Sequence, residues 1–163
     1  MFSLGINFFR MNALELKIPP PVVALLLAGA MWLISIFMPA IEVSTLVGMP
    51  VAVTIALMGG GFSLGGVIAF RRVRTTVNPM KPANASSLVT GGIYRVTRNP
   101  MYVGLLFVLV AWAVFLAVPW ALIAPVAFVA YITRFQITPE ERVLASLFGQ
   151  AYSDYKAWVR RWL

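Results

Sequence analysis

Three apolar runs, residues 22–41, 51–70 and 101–132, alternate with polar segments, and none of the thirteen Lys and Arg residues falls inside a run. Arg10 and Lys17 precede the first run. Arg71, Arg72, Arg74, Lys81, Arg95 and Arg98 separate the second from the third, and Arg134, Arg142, Lys156, Arg160 and Arg161 follow it. Cationic side chains beside membrane-crossing segments stay on the cytoplasmic side, so all three basic blocks lie on one side. The chain between two blocks must then leave and return. Each of the first two runs is about 20 residues, enough to span. The third is too long for one crossing: as a single helix it would measure about 48 Å, against a hydrocarbon core of about 30 Å. Pro119 and Pro125 interrupt it, and a fold-back near Val118-Pro119-Trp120 gives two short arms with Trp112 and Trp120 near the outer interface.

The predicted fold is all-α: an integral membrane helical bundle of four spans in two hairpins. It divides into an N-terminal interfacial segment (1–21), a first transmembrane hairpin (22–70), a cytoplasmic loop (71–99), a second hairpin (100–136) and cytoplasmic, amphipathic C-terminal helices (137–163). Both termini and the central loop face the cytoplasm. Residues 1–18 carry spaced Phe, Leu and Ile side chains with little charge. An interfacial helix fits them better than a signal peptide, for which no small-residue cleavage site follows. Gly61 and Gly65 in the second run form a small-xxx-small pair. Tight packing of the first hairpin is the reading preferred to ligand binding, and a kink at Gly59-Gly60-Gly61 is a further expectation. Thr138-Pro139-Glu140-Glu141 has the order of a helix start, with a capping box between Thr138 and Glu141. Gly149 predicts a break, followed by a short helix over about 151–162 whose Arg160, Arg161 and Trp162 look interfacial.

Composition sharpens the picture. Hydrophobic residues make up 61%, charged residues 11%, and mean hydropathy is +0.88, too apolar for a soluble domain. The net charge of +8 flanks apolar segments instead of forming one basic face. Attraction to anionic lipid headgroups therefore explains it better than nucleic acid. There is no His and no Cys, which excludes disulfides, thiolate and imidazole metal sites and any Ser-His or Cys-His nucleophile; no metal is expected. The acids are Glu15, Glu42, Glu140, Glu141 and Asp154 alone. Chemistry in this chain needs carboxylates, Arg, Tyr, Asn and backbone groups, with a cofactor that brings its own reactivity.

Two segments carry that chemistry. Where the central loop enters the third run, the sequence reads Gly91-Gly92-Ile93-Tyr94-Arg95-Val96-Thr97-Arg98-Asn99-Pro100-Met101-Tyr102-Val103-Gly104. The glycines permit close backbone approach to a ligand, and the N–H groups after Pro100 suit an anionic group. Glu140-Glu141 returns to the same face after the hairpin. Carboxylates beside a basic, glycine-rich loop suit a zwitterion such as an amino acid moiety. By spacing alone, they also serve as first-turn helix acids, with the Arg and Tyr residues as headgroup anchors.

The stretch from 88 to 163 resembles the isoprenylcysteine carboxyl methyltransferase and phospholipid methyltransferase superfamily of membrane enzymes. Its pattern is approximately G-x-Y-x-x-x-R-H-P-x-Y-x-G, a helical hairpin, then E-E-x-x-L-x-x-x-F-G-x-x-Y-x-x-Y. This chain supplies Gly92, Tyr94, Arg98, Asn99, Pro100, Tyr102 and Gly104, then Glu140-Glu141, Leu144, Phe148-Gly149, Tyr152 and Tyr155. The resemblance implies S-adenosyl-L-methionine (SAM) as methyl donor at the cytosolic face. Gly92, Tyr94, Arg98, Asn99, Pro100, Tyr102 and Gly104 would then line the cofactor pocket, and Glu140 and Glu141 would meet the cofactor's ammonium or ribose hydroxyls. Asn99 stands where the family usually has His. Asn keeps a donor and an acceptor but cannot titrate, so positioning survives and general-base use of an imidazole does not.

The expected function is SAM-dependent methylation of a lipophilic acceptor (carboxylate, thiol or amine) entering from the bilayer, with Arg134 orienting the acceptor and Glu141 available for a proton. A phospholipid amine N-methyltransferase is the nearest alternative. From another class, a non-catalytic scaffold or transporter-like bundle is the rival, but a transporter needs an ionisable group within a span and none of the apolar runs has one. Compact size and the lack of a targeting signal favour a bacterial inner membrane.

Overall fold

The computed structural model describes residues 15–73 and 82–163; the expected interfacial helix over 1–18 therefore falls largely outside the described residues. Those described form helices and connecting turns with no strand. The helices are α1 (Pro20–Phe37), α2 (Thr45–Val73), α3 (Pro100–Leu116), α4 (Ile123–Ile132) and α5 (Thr138–Trp158). Three helical stretches are long and apolar enough to cross a membrane: Pro20–Phe37, Thr45–Val73 and the continuous Pro119–Trp158. The fourth, Pro100–Leu116, is apolar but 17 residues long. Large apolar side chains on these helices face outward, among them Leu25, Leu46 and Leu57 at 72%, 88% and 71% exposed. Outside a bilayer that surface would be a heavy cost. This is an integral membrane protein.

The fold-back lies where the sequence put it. Leu116 ends α3, Ala117 takes the left-handed conformation (φ 52°, ψ 29°), Val118 is extended, and Pro119 opens a 3₁₀ turn leading into α4. The Ala117 carbonyl accepts the Ile41 N–H at 2.8 Å, tying the α1–α2 and α3–α4 connections together. Trp120 is 58% exposed there. Trp112 instead points into the bundle and donates to the Ala28 carbonyl of α1 at 3.1 Å.

α3 is the central helix. α2 packs along it more extensively than any other two elements pack, while α1 lies against α3 and α4. Two glycines of α2, Gly59 and Gly66, consequently serve the α2–α3 contact, not the first hairpin. They are also not the predicted pair. A Cβ on Gly61 would meet nothing within 4 Å, and one on Gly65 would only touch Ile93. The close approach is made by Gly59, Ser63 and Gly66 against Gly104 and Met101: a Cβ on Gly59 would lie 2.7 Å from the Gly104 carbonyl oxygen, and one on Gly66 2.7 Å from Met101 Cγ. Between α1, α3 and α4 the apolar core closes over Met31, Leu109, Phe128 and Ile132.

The expected helix start at Thr138 is overturned. Thr138 is itself helical (φ −59°, ψ −47°), and its hydroxyl donates to the Thr133 carbonyl at 2.7 Å instead of capping. α4 runs into α5 through a π turn, Thr133–Ile137. The cause is Pro139: lacking an N–H, it cannot satisfy the carbonyl four residues back. That carbonyl, on Phe135, accepts the Leu16 N–H at 3.0 Å from the segment before α1. Glu15, side chain 1% exposed, completes the attachment by pairing with Arg134 at 2.9 Å and with Arg142. Gly149 does break the helix as expected, with φ 50° and ψ −121°. The helix beyond it stops at Trp158, and Val159 turns extended.

Candidate functional site

A cavity lies between the end of α2, the loop 82–89, the turn Gly92–Arg95, the first turn of α3 and α5. Its apolar lining includes Met101, Ile137, Phe70, Leu88, Val89 and Leu144. Of the residues singled out from sequence, Tyr94, Arg98, Asn99, Tyr102, Glu140 and Glu141 face it.

Gly92 (φ +61°) opens the 3₁₀ turn Gly92–Arg95, a conformation that a side chain would strain. That turn buries Tyr94, whose ring meets Phe70 edge-on with centroids 5.5 Å apart. The Tyr94 carbonyl accepts the Tyr155 hydroxyl at 2.7 Å, which ties the helix after Gly149 to this turn, and Tyr152 and Tyr155 both line the cavity. Pro100, at the first position of α3, fixes the angle at which the helix leaves the motif. Tyr102, 5% exposed, donates to Glu140 Oε2 at 3.1 Å. Arg98, with 11% of its side chain exposed, has Nη1 3.0 Å from Glu141 Oε1. The distance makes an ion pair, but the direction does not make a hydrogen bond: Nε and Nη1 are buried without an acceptor.

Four of the residues named from sequence stand elsewhere. Gly92 and Pro100 shape the backbone beside the cavity, and Gly104 faces α2. Arg134 pairs with Glu15 and lies away from the cavity lining. Asn99 lines the cavity, and its side-chain amide donates to the Arg161 carbonyl at 2.9 Å. Sequence reading also missed Phe70 and Arg161, neither of which belongs to the motif that carried the resemblance. Arg161 bonds Glu141 through both Nε and Nη2.

The two acids differ in surroundings. Glu141 sits between two guanidinium groups. Glu140, beyond the apolar run that ends before Arg134, has no guanidinium partner among the described residues and accepts the Tyr102 hydroxyl. Burial pushes its carboxyl up to about 7, the neighbouring Glu141 charge adds to the rise, and the Tyr102 hydrogen bond opposes it. The folded protein thus binds this proton more tightly than the unfolded chain. Its contribution to stability is complete below the ordinary carboxylate range and is lost as pH rises through about 7.

This arrangement has a family. Residues 47–151, from the first turns of α2 to just past Gly149, match the phospholipid methyltransferase family, which places the chain among membrane methyltransferases. The protein belongs to that family, in agreement with the resemblance read from its motifs. It is also similar to an uncharacterized protein of Haemophilus influenzae, 44% identical over 63 residues, which is 39% of this chain and all of the relative. No solved structure matches.

Proposed function

We propose that this protein transfers the methyl group of SAM to a lipophilic acceptor held in the bilayer, with the cavity as the cofactor site. The observation that carries the reading is Arg98: two buried guanidinium nitrogens, Nε and Nη1, have no aligned hydrogen-bond acceptor, in a cavity whose lining includes Glu140. An amino acid moiety supplies the missing acceptor as its carboxylate and presents its ammonium to Glu140. The apolar lining at Phe70, Leu88, Val89 and Leu144 suits an adenine ring. When bound, SAM supplies an activated methyl group, which explains how a chain without His or Cys performs group transfer. Arg98 binds and orients, Tyr102 holds Glu140, and the buried tyrosines exclude water. Rate then comes chiefly from positioning. Asn99 adds no titrating group.

A phospholipid amine is the second reading for the acceptor. The family's description favours it, as does a carboxyl at Glu140 that changes protonation near neutral pH. In either case we place both termini and the cavity on the cytoplasmic side of four spans.

Isothermal titration of the purified protein with S-adenosylhomocysteine tests the cofactor before any acceptor is known. Saturable binding is expected, weakening below pH 7 by about tenfold per unit as Glu140 is protonated. In Glu140→Gln that pH dependence should vanish. Absence of saturable binding at pH 8 sinks the reading. Topology has its own check, because the chain contains no cysteine to interfere. Single cysteines replacing Ser44 and Ser86 should label from opposite faces of sealed vesicles, Ser86 from the cytoplasmic one. Labelling from one face rules out the four-span arrangement.

A further inference from the structure

The residues after α5 are spent on the cavity's rim. Val159, extended and buried, ends the helix, and the Arg160 carbonyl beyond it accepts the Arg98 N–H at 2.9 Å. The Arg161 carbonyl accepts two donors at once, Thr97 Oγ1 at 3.2 Å and Asn99 Nδ2 at 2.9 Å. Thr97 is fully buried and Asn99 nearly so. The next side chain is pinned too, as Trp162 Nε1 donates to Thr133 Oγ1 at 3.2 Å. With its backbone held from both sides, Arg161 gives Glu141 a two-point pair, Nε to Oε1 at 3.0 Å and Nη2 to Oε2 at 2.7 Å.

Glu141 is therefore contested. Its Oε1 lies 3.0 Å from Arg161 Nε and equally 3.0 Å from Arg98 Nη1, yet only Arg161 is aligned to donate. A planar guanidinium meeting a carboxylate edge to edge is the geometry that arginine favours over lysine. Were Arg161 absent, the carboxylate would turn to the remaining guanidinium beside it. The N–H groups that Arg98 now keeps for the cavity would be consumed.

We propose that Arg161 is a positioning residue of this site. Anchored through its own carbonyl by Thr97 and Asn99, it holds Glu141 so that Arg98 stays available to the cavity. The proposal rests on the cofactor reading above and gives Asn99 a task different from an imidazole's: it fixes the tail that fixes the acid. Arg161 does not itself line the cavity, so it acts only through Glu141.

The test is a double-mutant cycle on S-adenosylhomocysteine affinity, with melting temperatures of the ligand-free proteins in detergent measured alongside. Arg161→Ala should weaken binding about tenfold, the scale of one charged hydrogen bond. Arg161→Lys, which keeps the charge and one point of contact, should recover part of the loss and guards against a variant that fails to fold. In a Glu141→Gln background, Arg161→Ala should have no further effect on affinity. Independent, multiplying effects overturn the proposal, as does undiminished binding by Arg161→Ala. A parent protein that binds no S-adenosylhomocysteine overturns the cofactor reading instead. The melting cycle still reports the Arg161–Glu141 pair in that event, and additivity there removes the pair itself.

Discussion

Arg98→Lys should bind S-adenosylhomocysteine about ten- to a hundredfold more weakly than the parent, with helical content unchanged. The side chain is 11% exposed, and two of its nitrogens, Nε and Nη1, have no aligned hydrogen-bond acceptor among the described residues. Leaving such donors buried is costly unless a ligand takes them up. A lysine preserves the charge opposite Glu141 but offers one ammonium in place of a planar fork. The ligand carboxylate then loses at least one charge-assisted hydrogen bond, worth about 1.5–3 kcal/mol, and affinity follows by about tenfold per 1.4 kcal/mol. Isothermal titration at pH 8, where Glu140 is ionised, reads the change directly. Equal affinity in the two proteins would mean that the carboxylate binds elsewhere and that the open guanidinium is a feature of the fold alone.

Gly104→Ala should lower the melting temperature in detergent more than any substitution at the cavity, and should weaken cofactor binding as well. A Cβ at this position would lie 2.5 Å from the Gly59 carbonyl oxygen and 3.0 Å from the Ser63 backbone nitrogen. Neither atom can move aside as a flexible side chain can. The helices must separate, and overpacking of this kind costs about 1–3 kcal/mol. In a membrane, where small residues permit the backbone approach that holds helices together, the loss is not recovered by burying the extra methyl. The displacement also propagates. Phe70 on α2 and Tyr102 on α3 flank the cavity, so separating the two helices opens it. Gly61→Ala is the control: its Cβ meets nothing, and the exchange removes a helix-weakening residue. A Gly104→Ala protein that melts with the parent would show the contact to be looser than its geometry.

The two glycine positions also mark how far the sequence could be read. Small residues lie on more than one stripe of α2. Choosing Gly61 and Gly65 over Gly59, Ser63 and Gly66 requires knowing where α3 lies, which is a tertiary fact. The fold-back at Val118–Trp120 was legible because an apolar run of that length with same-side charge at both ends has one physical solution. The six motif residues at the cavity were legible for a related reason: the hairpin must return the glutamates to the face from which it left. Arg161 was not, since its role depends on an extended turn at Val159 and on donors more than sixty positions earlier. Thr138-Pro139-Glu140-Glu141 misled because a cap and a mid-helix proline share one spelling. A distant donor, the Leu16 N–H, decides between them.

That decision has a rotational consequence. One helical residue advances the direction of a side chain by about 100°, and a π turn inserts one residue relative to regular α-helix. Thr133–Ile137 therefore swings everything after it about a third of a revolution around the helix axis, and this sets the heading of Glu140 and Glu141. Shortening the turn by one residue would leave both acids in the chain, still consecutive and still on a helix, but aimed at a different neighbour. The angular setting is kept from outside the helix: Pro139 withholds one bond, and the segment ahead of α1 supplies its replacement. The heading of the two acids toward the cavity thus depends on a stretch of chain more than a hundred residues upstream.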